Sequence, residues 1–201
     1  MKCFVFCWLA LVPLVAFEQT LPIDLWHKGK VVLESGDTIH GLIKYDLDDL
    51  LQVRHTNQLE SFSAQKISYF QILDQSCKCT RQFISLPFAK VGQYKSPVLF
   101  EVISDGKITL LSRERVEANT TASGHIINPP RIRRSLRNDY FLLNENGGIE
   151  IFSGKKERDW YTLMESKAPE VSTYMKGSNL DFNKKYDLQK IIDYYNSLFK
   201  K

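Results

Sequence analysis

The stretch Ser96–Glu114, SPVLFEVISDGKITLLSRE, restricts the possible folds of this chain more than any other. Two apolar runs flank Asp105-Gly106. That pair favours a two-residue hairpin turn, because both central residues of such a turn take positive φ. The same pattern recurs along the chain. Lys30–Asp46, KVVLESGDTIHGLIKYD, sets two runs around Ser35-Gly36. Within it Ile39, Gly41 and Ile43 alternate with His40, Leu42 and Lys44, the period of a strand. Asp139–Ser153, DYFLLNENGGIEIFS, turns around Asn146, Gly147 and Gly148. LLQVRH and LESFS predict two further strands around Asn57-Gln58, and CTRQFISLPF another, ended by Pro87. KISYFQIL carries apolar groups on both faces, as a central strand does.

The expected class is therefore mainly β, a β-rich α+β chain. About five short strands within residues 28–75 predict a small SH3-like or Sm-like barrel, with Gly41 relieving crowding where a strand bends. Residues 76–153 read as a second unit of β-hairpins. Inside it, residues 115–138, RVEANTTASGHIINPPRIRRSLRN, show no sustained period and hold a Pro-Pro pair, so they are expected to form a long loop. Residues 154–201 read as helices packed on the sheet. Trp160, Leu163 and Met164 recur at helical spacing, and Pro169 suits a first turn with Gly177 as the stop. Leu188, Ile191, Ile192, Tyr195, Leu198 and Phe199 make one stripe, with Asp187 as its cap. Burying that stripe contributes on the order of 10 kcal/mol before entropy, so the last helix is expected to dock.

The N-terminus predicts export. Lys2 precedes the apolar run CFVFCWLALVPLVAF, and cleavage after Ala16 makes residues 1–16 a signal peptide. The run falls short of the roughly twenty residues of a spanning helix, and Pro13 interrupts it; a retained anchor is the competing reading. After cleavage the chain is expected to be soluble or peripheral, in the periplasm, envelope or medium. Cleavage removes one of 27 basic residues and none of the 23 acidic ones, leaving a charge of about +3. That mild excess, with export, argues against nucleic acid as a partner. Two of the four cysteines leave with the signal. Cys77 and Cys79, one residue apart, cannot staple distant segments. Two free thiols near a turn are the plainer reading, and a bridge between them stays open.

The assembled pattern resembles a group of uncharacterised secreted cell-envelope proteins of Bacteroidota. The resemblance rests on GKVVLESGDTIHGLIKYD, SAQKISYF, RQFISLPF, LFEVISDGKITLLSRE, DYFLL and IIDYYNSLF, from about Gly29 to Phe199. It implies an envelope β protein with a helical tail. No activity is established for the group, so no catalytic residue carries over. The chain departs from the group in its Cys77-Lys78-Cys79 triplet and its arginine-rich insertion.

Chemistry is sparse. No zinc-protease helix, nucleophile elbow or phosphate loop is present. Gly36-Asp37-Thr38 lacks the glycine that an aspartic-protease site needs, since Ile39 follows. His27, His40, His55 and His125 are scattered, and no metal or other cofactor is expected. Asp46, Asp48 and Asp49 read as a solvated turn rather than a calcium loop. Asn119-Thr120-Thr121 matches a glycosylation acceptor by composition alone, and Trp26, Tyr94 and Trp160 read as core aromatics rather than a sugar platform. Glu101 and Glu114 could act as acid and base in sugar cleavage at about 5 to 9 Å separation, which makes a secreted hydrolase of sugar or peptide the alternative function. The most suggestive polar feature is Arg131, Arg133, Arg134 and Arg137, four forked cations in seven residues. They predict a non-catalytic binding or assembly module that meets an anionic envelope surface or another protein.

Overall fold

A computed structural model describes residues 21–121 and 131–200, and the expected signal peptide, residues 1–16, lies outside them. The described residues form ten strands: β1 (His27–Leu33), β2 (Thr38–Tyr45), β3 (Leu50–His55), β4 (Gln58–Ser63), β5 (Ile67–Asp74), β6 (Cys79–Phe88), β7 (Ser96–Ser104), β8 (Thr109–Thr121), β9 (Arg131–Leu143) and β10 (Ile149–Phe152). Three helices follow: α1 (Glu157–Met164), α2 (Ala168–Ser178) and α3 (Lys185–Ser197). The strands form one antiparallel sheet in the order β10-β9-β8-β7-β6-β5-β1-β2-β3-β4. Each neighbour in space is a neighbour in sequence, except where β5 returns to β1 with Val31 opposite Phe70.

The mainly β class with a helical C-terminus is what the structure has. The barrel is not closed. A single 3-10 turn, Ala64–Lys66, joins β4 to β5, and β5 pairs with β1. Its other edge, however, is taken by β6, from Tyr69 opposite Ile84 to Asp74 opposite Cys79. That edge is the one a closed barrel would offer to β4. The sheet therefore stays open, ending at β4 and β10.

Three apolar clusters hold it. Val31, Ile43, Leu51, Val53, Phe70 and Ile72 fill the curl of the first strands. Ile103 and Leu110 receive the helices through Trp160, Met164, Val171, Leu188, Ile191 and Ile192. Val98, Phe100, Leu111 and Phe141 form the third cluster, which takes the other parity of β7 and β8. The stripe of α3 docks as expected, although Phe199 is 44% exposed. Asn196 on α3 accepts from the Ile108 amide and donates to the Ile108 carbonyl and Ser104 Oγ, which pins the β7–β8 connection.

Several local expectations need correction. Residues 115–138 are not a long loop. β8 and β9 pair residue by residue from Thr109 opposite Leu143 to Thr121 opposite Arg131, and residues 122–130 lie outside the described ones. Polar side chains on the outer half hid the alternation; the backbone ladder makes the strands. The connection after β7 spans residues 105–108 rather than two residues. β6 runs through Pro87, which faces Pro97, so neither partner has an amide to leave unpaired. Gly177 does not stop α2; Asn179 does, in the left-handed conformation. Asp187 lies inside the first turn of α3 rather than at its cap, which is Lys184. The cysteines are not free: Cys77 and Cys79 are disulfide-bonded, with Cα atoms 5.2 Å apart. Cys77 sits in the β5–β6 turn and Cys79 opens β6, and Lys78 between them takes a φ of 54°.

Candidate functional site

Two places gather polar side chains. The first is buried where the curl of the sheet meets α3. Arg81 stands on β6 at an inward position, opposite Ile72 and two residues from Phe83. Its guanidinium donates to Glu101 Oε1 at 2.9 Å and Oε2 at 2.6 Å, a bidentate fork. It also donates to Glu114 at 2.7 Å, to Asp74 at 3.1 Å and to the Tyr45 hydroxyl at 2.8 Å. The Tyr45 hydroxyl in turn donates a hydrogen bond to Glu114 Oε2 at 2.8 Å. From the first turn of α3, Lys185 donates to Glu101 at 2.5 Å and to Glu114 at 3.4 Å. Side chains from β2, β5, β6, β7, β8 and α3 thus meet around one guanidinium.

Burial alone would raise the Glu101 carboxyl; the charges and hydrogen bonds of Lys185 and Arg81 outweigh it and hold the group below its ordinary value. Asp74 is likewise lowered, its burial outweighed by Ser76 and Arg81. Desolvation pushes the Tyr45 phenol well above its usual range against the pull of Arg81, and the same effect with Glu101 takes Tyr140 to about 12. The Arg81 charge, by contrast, is reinforced: desolvation opposes it, but Glu101, Tyr45 and Glu114 raise its proton affinity.

The structure does bring together the two glutamates singled out for sugar cleavage. It brings them onto two shared cations, Arg81 and Lys185. Glu101 and Glu114 are 5% and 8% exposed at the side chain, and Glu101 binds its proton more weakly than a free carboxyl. A general acid needs the opposite shift. The space beside them is about 30 Å³, the scale of one water molecule. A second buried carboxylate performs a similar task. Asp49, expected in a solvated turn, accepts from the Leu99 amide at 2.8 Å and from Arg113 at 2.7 Å, and is paired with Lys90. Arg113 also donates to the Leu99 carbonyl at 2.8 Å. The two side chains replace the ladder bonds that β8 does not supply to this part of β7.

The second place is the outer half of the β8–β9 hairpin. All four arginines singled out from the sequence lie on β9. Strand alternation puts positions 131, 133 and 137 on one face and 134 on the other, so they are not one patch. The side chains of Arg131 and Arg133 lie outside the described placement; Arg134 and Arg137 are exposed. Arg137 donates to Glu117 at 2.8 Å, and Arg115 to Asp139 at 3.2 Å. Beside them runs a groove of about 760 Å³ whose walls include Arg115, Arg137, Tyr140, Phe152, Lys155 and Phe182.

The histidines stay apart. His27 contacts the Pro22 carbonyl and His55 pairs with Glu60, while His125 lies outside the described residues. Among the described residues no three His, Cys, Asp or Glu side chains are placed to hold a metal ion, and no helix is long and apolar enough to cross a membrane. Arg81 and Lys185 were missed in the sequence. The available signal was a charge at an inward-facing position of an apolar strand, Arg81 in CTRQFISLPF and Glu101 in SPVLFEVIS. Comparison with protein-family models, curated proteins and solved structures finds no match to this chain.

Proposed function

We propose that this chain is an exported, non-catalytic binding or assembly module of the cell envelope, and that the arginine-bearing β8–β9 hairpin is the element that meets an anionic partner. One contrast carries the reading. The ionisable groups that converge inside the molecule are spent on one another, whereas those on the hairpin stand at the surface beside a groove. Arg115, Arg137 and Lys155 line that groove with one carboxylate, Asp139; Glu117 pairs with Arg137, and Arg134 stands exposed on the other face. The signal-like N-terminus supports export, and the resemblance to secreted envelope proteins of Bacteroidota supports the compartment.

The test is retention of the full chain on two anionic surfaces, immobilised polyglutamate and phosphatidylglycerol vesicles, at low and moderate salt. Replacing Arg131, Arg133, Arg134 and Arg137 with Ser should lower retention at low salt about tenfold on at least one surface, since each lost contact removes a counterion-releasing charge. Equal retention of wild type and variant on both surfaces rejects the reading.

A further inference from the structure

β9 is paired on both sides over only part of its length. On the β8 side it is bonded throughout. On the other side β10 covers only Tyr140 to Leu143, through Phe152 opposite Tyr140 and Ile149 opposite Leu143. Among the described residues, Arg131–Asp139 has no strand on its outer edge. Nine residues of strand span about 30 Å, a row of backbone donors and acceptors that another strand can join.

The break in β10 is built in. The chain leaves the sheet at Gly154, whose φ is 50°. Its carbonyl accepts from Trp160 Nε1 at 3.0 Å, and a Cβ at this position would come within 2.7 Å of the Trp160 ring. β10 is thus turned away, and the line it would have followed along β9 continues as the groove of about 760 Å³.

The lining says where that groove lies. It takes Leu136, Asn138 and Tyr140 from one face of β9, and Arg137, Asp139 and Phe141 from the other. A depression bordered by both parities of a strand follows its edge rather than either of its faces. Its volume falls in the range of ordinary binding sites.

We propose that the free edge of β9 takes up an extended, acidic segment of a partner polypeptide as an eleventh strand, antiparallel to β9 and in line with β10. This deepens, and rests on, the anion-binding reading above. Main-chain bonds to β9 supply affinity, and alternate side chains supply selectivity, as in other strand additions. One set of the incoming side chains lies toward Arg115 and Arg137, where carboxylates fit. The other lies toward Tyr140, Phe152 and Phe182, where apolar groups fit. The favoured sequence therefore alternates Asp or Glu with apolar residues. A second copy of this chain is the poorer occupant. An antiparallel pairing of two copies centred on position 134 would set Arg134 against its own copy and position 137 against position 131, both Arg in the sequence, and like charges across a strand pair repel.

The test uses the full chain and an array of acetylated, amidated decapeptides with Asp or Glu at every second position and varied neutral residues between. At least one peptide should bind in the micromolar range, and binding should slow amide exchange in residues 131–139. Two N-methylated versions of the best peptide then decide the geometry. Methylating the amides on one edge should weaken binding at least tenfold, while methylating the opposite edge leaves it unchanged, because only one edge of an added strand faces β9. The exposed-site variant R134E/R137E should keep its melting temperature and lose the peptide. The inference is overturned if both methylated peptides bind alike, or if exchange slows elsewhere. It is also overturned if the chain dimerises through β9 in sedimentation and R134E/R137E abolishes the dimer. If no peptide binds while arginine-dependent retention on polyglutamate or vesicles persists, the strand-addition inference falls and the anion-binding reading stands.

Discussion

Arg81 decides the fate of three carboxylates. With it, Asp74, Glu101 and Glu114 share one guanidinium; without it, three buried acids face only Lys185, the Ser76 amide and two hydroxyls. A buried ion pair adds little to stability compared with a well-packed apolar equivalent, but removing one partner is expensive, about 3–5 kcal/mol. Arg81→Met should therefore lower the free energy of unfolding in urea by about that amount at neutral pH. The loss should shrink toward pH 4, where the orphaned acids can take up protons. A variant as stable as wild type would mean that the cluster relaxes into solvent and that Arg81 does not organise it. The sequence signalled this cluster only faintly. Arg81 and Glu101 are single charges in apolar runs, and nothing local says that residues 81, 101, 114 and 185 meet, because the meeting is made by the sheet order and by α3.

At the level of elements, the closest packing lies between strands. Gly29 of β1 faces Gly41 of β2. A Cβ on Gly41 would stand 2.5 Å from the Arg54 carbonyl oxygen of β3, and one on Gly29 only 2.1 Å from that of Gln71 on β5. Two side-chain-free positions let four strands press together where the sheet curls. Gly41→Ala forces β2 and β3 apart, and should cost about 1–3 kcal/mol in thermal or urea unfolding, as overpacking does; no loss would show that the curl has room to spare. Elements of this kind were largely legible. The apolar runs of Lys30–Asp46 and Ser96–Glu114 gave strands, and the Leu188, Ile191, Ile192 and Tyr195 stripe gave a docked helix. The outer half of the β8–β9 hairpin was not, because Arg115, Glu117, Arg137 and Asp139 are polar on a surface where period two carries no apolar signature. The turn before α3 failed for a similar reason, since Asp187 looks like a cap but lies three residues inside.

For the molecule as a whole, the charge clusters set a pH window. Asp49, Asp74 and Glu101 all have native values below those of the unfolded chain; burial raises each, and the paired cations and hydrogen bonds overcompensate. A depressed carboxyl contributes stability that is present above its unfolded value and lost as pH falls through the native one, since the unfolded chain then binds more protons. Tyr45 acts at the other end. Burial foremost, opposed by Arg81, raises its phenol, so its contribution is intact below pH about 10 and fades as pH rises beyond that. The midpoint of thermal unfolding should therefore be flat through neutrality and drop below pH about 4. The drop should be steeper in wild type than in Arg81→Met. A midpoint that holds level to pH about 2 would mean that these carboxyls are not depressed.

The order of the sheet also sets the timing of assembly. As the chain emerges from its N-terminus, each strand can pair with the one before it, and β5 can return to β1 long before the rest exists. Yet Lys185 and Asn196, which complete the charge cluster and fasten the β7–β8 connection, lie on α3, after all ten strands. Until that segment emerges, Glu101 and Glu114 must share Arg81 alone and the face of Ile103 and Leu110 lies bare. The interior is closed by α3, so a chain that has paired its strands but not docked that helix leaves both the charge cluster and this apolar face open.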